Sequence, residues 1–304
     1  MMKEVYQLCD LRNWNEVSAG LQRPVRLGVV GAPVAHSLSP ALQNAALEKC
    51  GIEFSYARFQ IAPNELEEAR GLFRDLDFLG LNLTVPHKVA AVSLVDEVEE
   101  AARKIGAINT IVFRDNKSLG YNTDGPGFVR AIREEFSVDL RDLRVLLLGA
   151  GGGAGRAIAW QCANENCERL VLVNRTFAKA QTFVRELAPA FSGPRVLGPE
   201  ARLEAISWEE RALRTQLERT DLVVNATTLG LSASDASPLP RALIAPHLMI
   251  YDLVCKPTRL LAAADASGAR GANGLTMLLH QGALAFELWF DRPAPLREMR
   301  TALT

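Results

Sequence analysis

No CxxC pair occurs among the five cysteines, Cys9, Cys50, Cys162, Cys167 and Cys255, and their number is odd. That pattern excludes a disulfide framework and a zinc knuckle, and points to a reducing compartment. Nothing approaches the ~18 consecutive apolar residues of a membrane helix. Residues Met1 to Asp10 carry charge in place of the apolar stretch of a signal peptide. The expectation is a soluble, cytoplasmic protein with no membrane partner and no metal. Excess charge is also missing: 34 Lys and Arg stand against 35 Asp and Glu, a formal net charge of −1. Nucleic acid therefore has no electrostatic footprint here. Repeats and low-complexity tracts are absent, and 48% hydrophobic residues with 23% charged ones exclude wholesale disorder. At about 150 residues per domain, a chain of 304 predicts two domains.

What is present is an alternation of short apolar runs and helical spacings. In the first half, strands are predicted at Arg26–Val30, Phe54–Ile61, Leu79–Val85 and Ala107–Phe113. Helices are predicted from the N-cap Ser39 with Pro40 at the first helical position to Gly51, over Asn64–Leu76 and over Asp96–Lys104. A second series starts after Gly125. It runs helix Gly127–Phe136, strand Arg144–Leu148, a glycine cluster, helix Ala154–Ala163, strand Leu170–Val173 and helix Phe177–Leu187. Asp221–Ala226 and Leu248–Val254 read as further strands, Pro194–Glu204 and Ser232–Pro240 as loops, and Leu275–Phe290 and Pro295–Leu303 as helices. Such alternation predicts an α/β fold with largely parallel sheets. The first 24 residues precede the first clear strand and are expected to carry little structural weight.

The strongest local signal follows Arg144–Leu148. Gly149, Gly151 and Ala154 fit the pattern G-x-G-x-x-G/A between an apolar strand and an amphipathic helix. The first glycine permits a tight turn, the second lets backbone approach a pyrophosphate, and the helix N-terminus offers unpaired N–H groups. The next strand ends at Asn174-Arg175-Thr176, where an NAD site would place an acid for the ribose 2′-OH. A carboxylate would repel a 2′-phosphate and a guanidinium can fork onto it, so NADP is favoured over NAD. Asn225-Ala-Thr227-Thr-Leu-Gly230 ends a third strand, where small polar residues serve equally as a turn or as a cofactor-lining edge.

Three polar clusters mark the first half. His36-Ser37-Leu-Ser39-Pro40 follows a strand, and its two hydroxyls can face a small anion or cap a helix. Asn82-Leu-Thr84-Val-Pro-His87-Lys88 runs from a strand into a proline, and Asn122-Thr-Asp124-Gly125 taken alone is a turn. These clusters, with Gly106-Ala-Ile-Asn109-Thr110, Gly149–Gly153, Asn174–Thr176, Asn225–Gly230, Tyr251-Asp-Leu-Val254 and Asn273-Gly-Leu-Thr-Met-Leu-Leu-His-Gln281, resemble the shikimate dehydrogenase family. The motifs occur in the family's order, and the resemblance extends from Arg26 to the C-terminus.

The resemblance implies two domains: an N-terminal α/β substrate domain, 1–124 plus 274–304, and a Rossmann-like NADP-binding domain, 125–273, with the C-terminal helices returning to the first. It implies NADPH-dependent, reversible reduction of 3-dehydroshikimate to shikimate in aromatic amino-acid and chorismate biosynthesis. The family's lysine–aspartate pair falls on Lys88 and Asp124, and its carboxylate-holding serines on Ser37 and Ser39. Its other substrate contacts fall on Thr84, Asn109 and Gln281, with Asn82 a weaker match. The implied cofactor set is Gly149, Ala150, Gly151, Gly152, Gly153, Ala154, Asn174, Arg175, Thr176, Thr227, Leu253 and Gly274. The implied partners are small molecules, and the chain is a monomer or homodimer.

Chemistry agrees with these roles. Hydride delivery to a ketone builds negative charge on oxygen, which a nearby ammonium stabilises. Whether Lys88 also donates the proton or serves only as an electrostatic anchor stays open at this point. His87 is not taken as the acid, because adjacency to Lys88 does not make it face a substrate. Three departures stand out. Family members usually carry a tyrosine at Cys255, whose hydroxyl helps to bind the carboxylate, and a thiol is a weak donor. The glycine loop is one residue longer than the commonest form, and Asn273 replaces a frequent aspartate. The alternatives are an NAD-dependent quinate/shikimate dehydrogenase, disfavoured by Asn174-Arg175, and a non-catalytic sensor, disfavoured by the retained Lys88 and Asp124.

Overall fold

The computed structural model describes residues 2–191 and 201–304. The chain divides into two compact units, Met1–Gly127 with Leu279–Thr304, and Phe128–Leu278. Both boundaries fall inside helices, Asp124–Phe136 and Leu275–Phe290.

The first unit is a seven-stranded sheet. Its strands are β1 (Tyr6–Gln7), β2 (Val25–Gly31), β3 (Ser55–Gln60), β4 (Gly80–Leu83), β5 (Glu97–Val98), β6 (Thr110–Arg114) and β7 (Lys117–Tyr121), in the order β1-β3-β2-β4-β6-β7-β5. β1 to β4 pair in parallel, whereas β6 runs antiparallel to both β4 and β7, so this sheet is mixed. β7 escapes the sequence pattern because KSLGY has too few apolar residues to alternate clearly. The helix expected over Asp96–Lys104 is shorter: β5 occupies Glu97–Val98, and the helix Glu100–Ile105 starts after Glu99, whose carboxylate accepts the Ala102 N–H at 2.9 Å.

The first 24 residues are a structural part of this unit, contrary to expectation. Tyr6 pairs with Phe59 as an edge strand, and Tyr6, Leu8, Leu11 and Trp14 are buried in its core. Tyr6, Trp14, Phe59, Phe73 and Phe78 form a continuous aromatic cluster, with centroids 4.8–5.9 Å apart in the pairs Tyr6–Trp14, Trp14–Phe59, Phe59–Phe73 and Trp14–Phe78. Burying each such ring contributes about 1.5–3 kcal/mol, enough to hold a two-residue strand in place.

The second unit is wholly parallel. Its strands are β8 (Arg144–Leu148), β9 (Arg169–Val173), β10 (Leu203–Ile206), β11 (Leu222–Asn225), β12 (Met249–Asp252) and β13 (Arg270–Asn273), in the order β10-β9-β8-β11-β12-β13. This is the doubly wound order whose reversal lies between β8 and β11, and the crevice outside those strand ends is where such sheets bind ligands. Apolar cores cover both faces of the sheet. Of the loop expected at Pro194–Glu204, residues 194–200 lie outside the described residues, while Leu203 and Glu204 belong to β10. Among the described residues no helix is long and apolar enough to cross a membrane.

Candidate active site

In the first unit, three helices and one strand end gather Lys88 (helix His87–Ala90), Asp124 (helix Asp124–Phe136), Gln281 (helix Leu275–Phe290) and Asn109, just before β6. Asn122 starts this arrangement: its Oδ1 accepts the N–H groups of Asp124 (3.1 Å) and Gly125 (3.3 Å), capping the helix Asp124–Phe136. Asp124 therefore occupies the first turn, where the helix dipole favours a negative charge. Lys88 Nζ lies 2.6 Å from Asp124 Oδ2, and the two side chains are 15% and 4% exposed, so the pair is largely withdrawn from water. Asp124 Oδ1 accepts from Asn109 Nδ2 at 2.9 Å, and the same nitrogen lies 2.9 Å from Thr123 Oγ1 and 3.2 Å from Gln281 Oε1. Asn109 Oδ1 accepts the Thr123 N–H at 2.8 Å, which fixes the orientation of the amide. Gly127 makes this crossing possible: a Cβ there would lie 2.8 Å from the Gln281 backbone nitrogen.

The network continues away from the ion pair. Asn82 Nδ2 donates to Thr110 Oγ1 at 3.1 Å, and Tyr56 Oη donates to Asn82 Oδ1 at 2.8 Å. The buried Tyr56 hydroxyl lies near Ser39, and burial holds its pKa well above the ordinary value. A continuous polar chain thus joins Tyr56 to Lys88 through Asn82, Thr110, Asn109 and Asp124. Thr123 and Tyr56 were not picked out by the sequence. Thr123 lies inside the Asn122–Gly125 motif, and the inward alternation of β3 was the signal for Tyr56.

Ser39 is not the N-cap. It is the first residue of the helix Ser39–Lys49 after Leu38, and it is Ser37 Oγ that accepts the Ser39 N–H, at 3.3 Å. With that acceptor position filled, the Ser37 hydroxyl proton is available to an anion. Thr84 is half-buried at the end of β4, and its hydroxyl has no partner among the described residues. His87 is 1% exposed and its Nε2 donates to the Ile61 carbonyl at 2.9 Å; burial lowers its pKa, so the ring is neutral and already engaged.

In the second unit the glycine loop leaves β8 with Gly149 at φ +89°. The helix Gly153–Asn164 begins after Gly152, which has no side chain to cap it, so the first-turn N–H groups of Gly153 and Ala154 lack intrahelical acceptors. Close packing falls on Gly155, one residue beyond the Ala154 of the sequence pattern: a Cβ on Gly155 would lie 2.3 Å from Gly149 O, whereas Ala154 is half-buried. The extra residue in the loop shifts the helix contact by one. Asn174 borders the loop, its Oδ1 3.4 Å from where a Gly151 Cβ would stand, and its Nδ2 donates to Thr176 O at 3.1 Å. Arg175 and Thr176 are exposed, and the Arg175 guanidinium has no partner among the described residues.

Beside this loop, Asn225 and Asp252 end adjacent strands. Asn225 Nδ2 donates to Asp252 Oδ1 at 2.9 Å, and Thr258 Oγ1 donates to Asp252 Oδ2 at 2.7 Å. Burial raises the Asp252 carboxyl pKa against these hydrogen bonds. Thr227 Oγ1 donates to Asn225 Oδ1 at 2.7 Å and accepts the Leu229 N–H, so its hydroxyl shapes the turn. Gly274 packs against Leu253, whose carbonyl oxygen would lie 2.2 Å from any Cβ at that position. The Cys255 thiol, pushed up to about 11 by burial, stays protonated and faces the same carbonyl at 3.8 Å.

Known proteins resemble this chain over most of its length. Family models describe a shikimate dehydrogenase substrate binding domain over residues 29–111, a shikimate/quinate 5-dehydrogenase over 131–197 and a shikimate 5'-dehydrogenase C-terminal domain over 274–304. A shikimate dehydrogenase (NADP(+)) of Methanopyrus kandleri is 41% identical over 281 residues, 91% of this chain and 94% of its own. The crystal structure of shikimate dehydrogenase from Aquifex aeolicus matches at TM-score 0.83 and 33% identity, covering 93% of this chain and 98% of that one. A shikimate 5-dehydrogenase from Thermus thermophilus, solved with NADP(H) and shikimate, matches at TM-score 0.79 and 36% identity over 92% and 98%. The chain belongs to the shikimate dehydrogenase family.

Proposed function

We propose that this chain catalyses the NADPH-dependent, reversible reduction of 3-dehydroshikimate to shikimate, with Met1–Gly127 and Leu279–Thr304 binding the substrate and Phe128–Leu278 the cofactor. The observation that carries this reading is the Lys88–Asp124 pair, closed at 2.6 Å within a network of buried amides. Lys88 Nζ uses one N–H on Asp124 and retains others for a carbonyl oxygen. Its charge stabilises the negative charge that grows there, and Nζ supplies the proton. Asp124 holds Nζ in place and accepts from the adjacent substrate hydroxyl. Ser37 and Ser39 hold the carboxylate, while Thr84, Asn109 and Gln281 meet the ring hydroxyls.

The residues of the second unit fit a dinucleotide phosphate. The glycine-rich loop from Gly149 to Gly153 leaves room for a pyrophosphate, and the Gly153 and Ala154 amides, lacking intrahelical acceptors, are available to meet it. Asn174, Arg175 and Thr176 offer a guanidinium unpaired among the described residues and no acid, which suits a 2′-phosphate. Thr227, Leu253 and Gly274 line the remainder. NADPH supplies the hydride when bound. The reading includes work in the cytoplasm, as monomer or homodimer, on small molecules alone.

The test is cofactor consumption by the purified protein with 3-dehydroshikimate. NADPH is expected to be consumed much faster than NADH. Consumption of neither would overturn the reading, and a preference for quinate with NAD would move it to the quinate/shikimate alternative.

A further inference from the structure

β3 presents Tyr56 and Arg58 two residues apart, hence on one face of the sheet. Both reach the serine loop. Tyr56 lies near Ser39, while Arg58 donates from Nε (3.1 Å) and from one Nη (2.8 Å) to the carbonyl oxygen of Ser37. Arg58 is half-buried, yet no carboxylate pairs with it among the described residues. A partly desolvated guanidinium ordinarily finds an anion, because its charge is costly to leave uncompensated. Here it spends two N–H groups on one neutral carbonyl and leaves the others free. The Ser37 loop is otherwise held by its own turn, with Ser37 N–H on Val34 O at 3.0 Å and Ser39 N–H on Ser37 Oγ.

We propose that Arg58 is a positioning residue for the substrate carboxylate. It fixes the backbone of Ser37 so that the hydroxyl points outward, and it sets an unpaired positive charge behind the two serines. The inference rests on the reading of Ser37 and Ser39 as the carboxylate-holding pair. It makes Arg58 a determinant of substrate affinity rather than of hydride transfer.

Steady-state oxidation of shikimate by NADP+ with Arg58→Ala, Arg58→Lys and Ser37→Ala tests it. Arg58→Ala is expected to raise the shikimate KM about tenfold, the scale of one charge-assisted contact, with kcat and the NADP+ KM within about twofold of the parent. Arg58→Lys, which keeps the charge and loses the fork, is expected to fall between the two. An unchanged shikimate KM in Arg58→Ala overturns the proposal, as does a lysine variant no better than alanine, which would make Arg58 a loop strut. Should Arg58→Ala fail to fold, Arg58→Met keeps the apolar stem and replaces it; failure of both would also assign Arg58 to the fold and overturn the proposal. If Ser37→Ala leaves the shikimate KM unchanged, the carboxylate reading itself falls. If Ser37→Ala raises it and Arg58→Ala does not, only the role of Arg58 falls.

Discussion

The first unit builds its site from side chains held by other side chains, whereas the second builds its own from backbone left bare. Around Lys88 and Asp124, the amides and hydroxyls of Asn109, Thr110, Thr123, Asn82 and Tyr56 are all buried and mutually bonded. Around Gly149–Gly153, the useful groups are main-chain N–H at a helix start, and side chains matter mainly by their absence. On the proposed function, the difference follows from the ligands. A small polyhydroxylated ring undergoing charge development needs directional, preorganised partners, while a pyrophosphate needs several equivalent donors and room to approach. A buried polar network is damaged by deleting one member, because the partners are left unsatisfied. A backbone cradle is damaged by adding atoms.

That contrast sets the expected effects. Lys88→Ala should lower kcat for 3-dehydroshikimate reduction by about a thousandfold, since it removes the charge facing the developing oxyanion; its KM should change far less, and steady-state kinetics separate the two. Gly155→Val should weaken NADPH binding by about a hundredfold or more, as seen by fluorescence titration, because its Cβ would lie 2.3 Å from Gly149 O and push the helix off the loop. A Gly155→Val protein that binds NADPH normally would break the comparison. Asn109→Ala should cost about 2–3 kcal/mol in chemical denaturation by orphaning the Thr123 N–H and loosening Asp124 and Gln281, with kcat reduced as well. Arg175→Ala should raise the NADPH KM about tenfold and leave that for NADH unchanged, which would sharpen the comparison by isolating a charged side-chain contribution to the cofactor unit.

Legibility in the sequence divides along the same line. β8 and the helices Phe177–Leu187 and Leu275–Phe290 match their predicted spans residue for residue, because doubly covered parallel strands are unbroken apolar runs and long helices keep their period. β5, β7, β10 and β13 escaped, being short, polar or glycine-bearing at sheet margins. The N-terminal segment misled because its apolar residues are few and spaced apart, and their partners Phe59, Phe73 and Phe78 lie far along the chain. The site motifs were visible as polar residues at strand ends. Their mutual bonds were not, since Asn109 and Gln281 meet across 172 residues and no local pattern encodes such a pairing. Arg58 was invisible for another reason: an arginine in a strand reads as a solvated side chain until its two hydrogen bonds to Ser37 are seen.

The division of labour between side-chain site and backbone cradle is tested most directly by the NADPH affinity of the Lys88→Ala protein, measured by fluorescence titration on the same sample that is assayed for turnover. The account predicts a Kd within about twofold of the parent while turnover is about a thousandfold slower. A Kd weakened in proportion to the lost turnover would contradict it, because Lys88 would then be supporting the cofactor and not the reacting carbonyl.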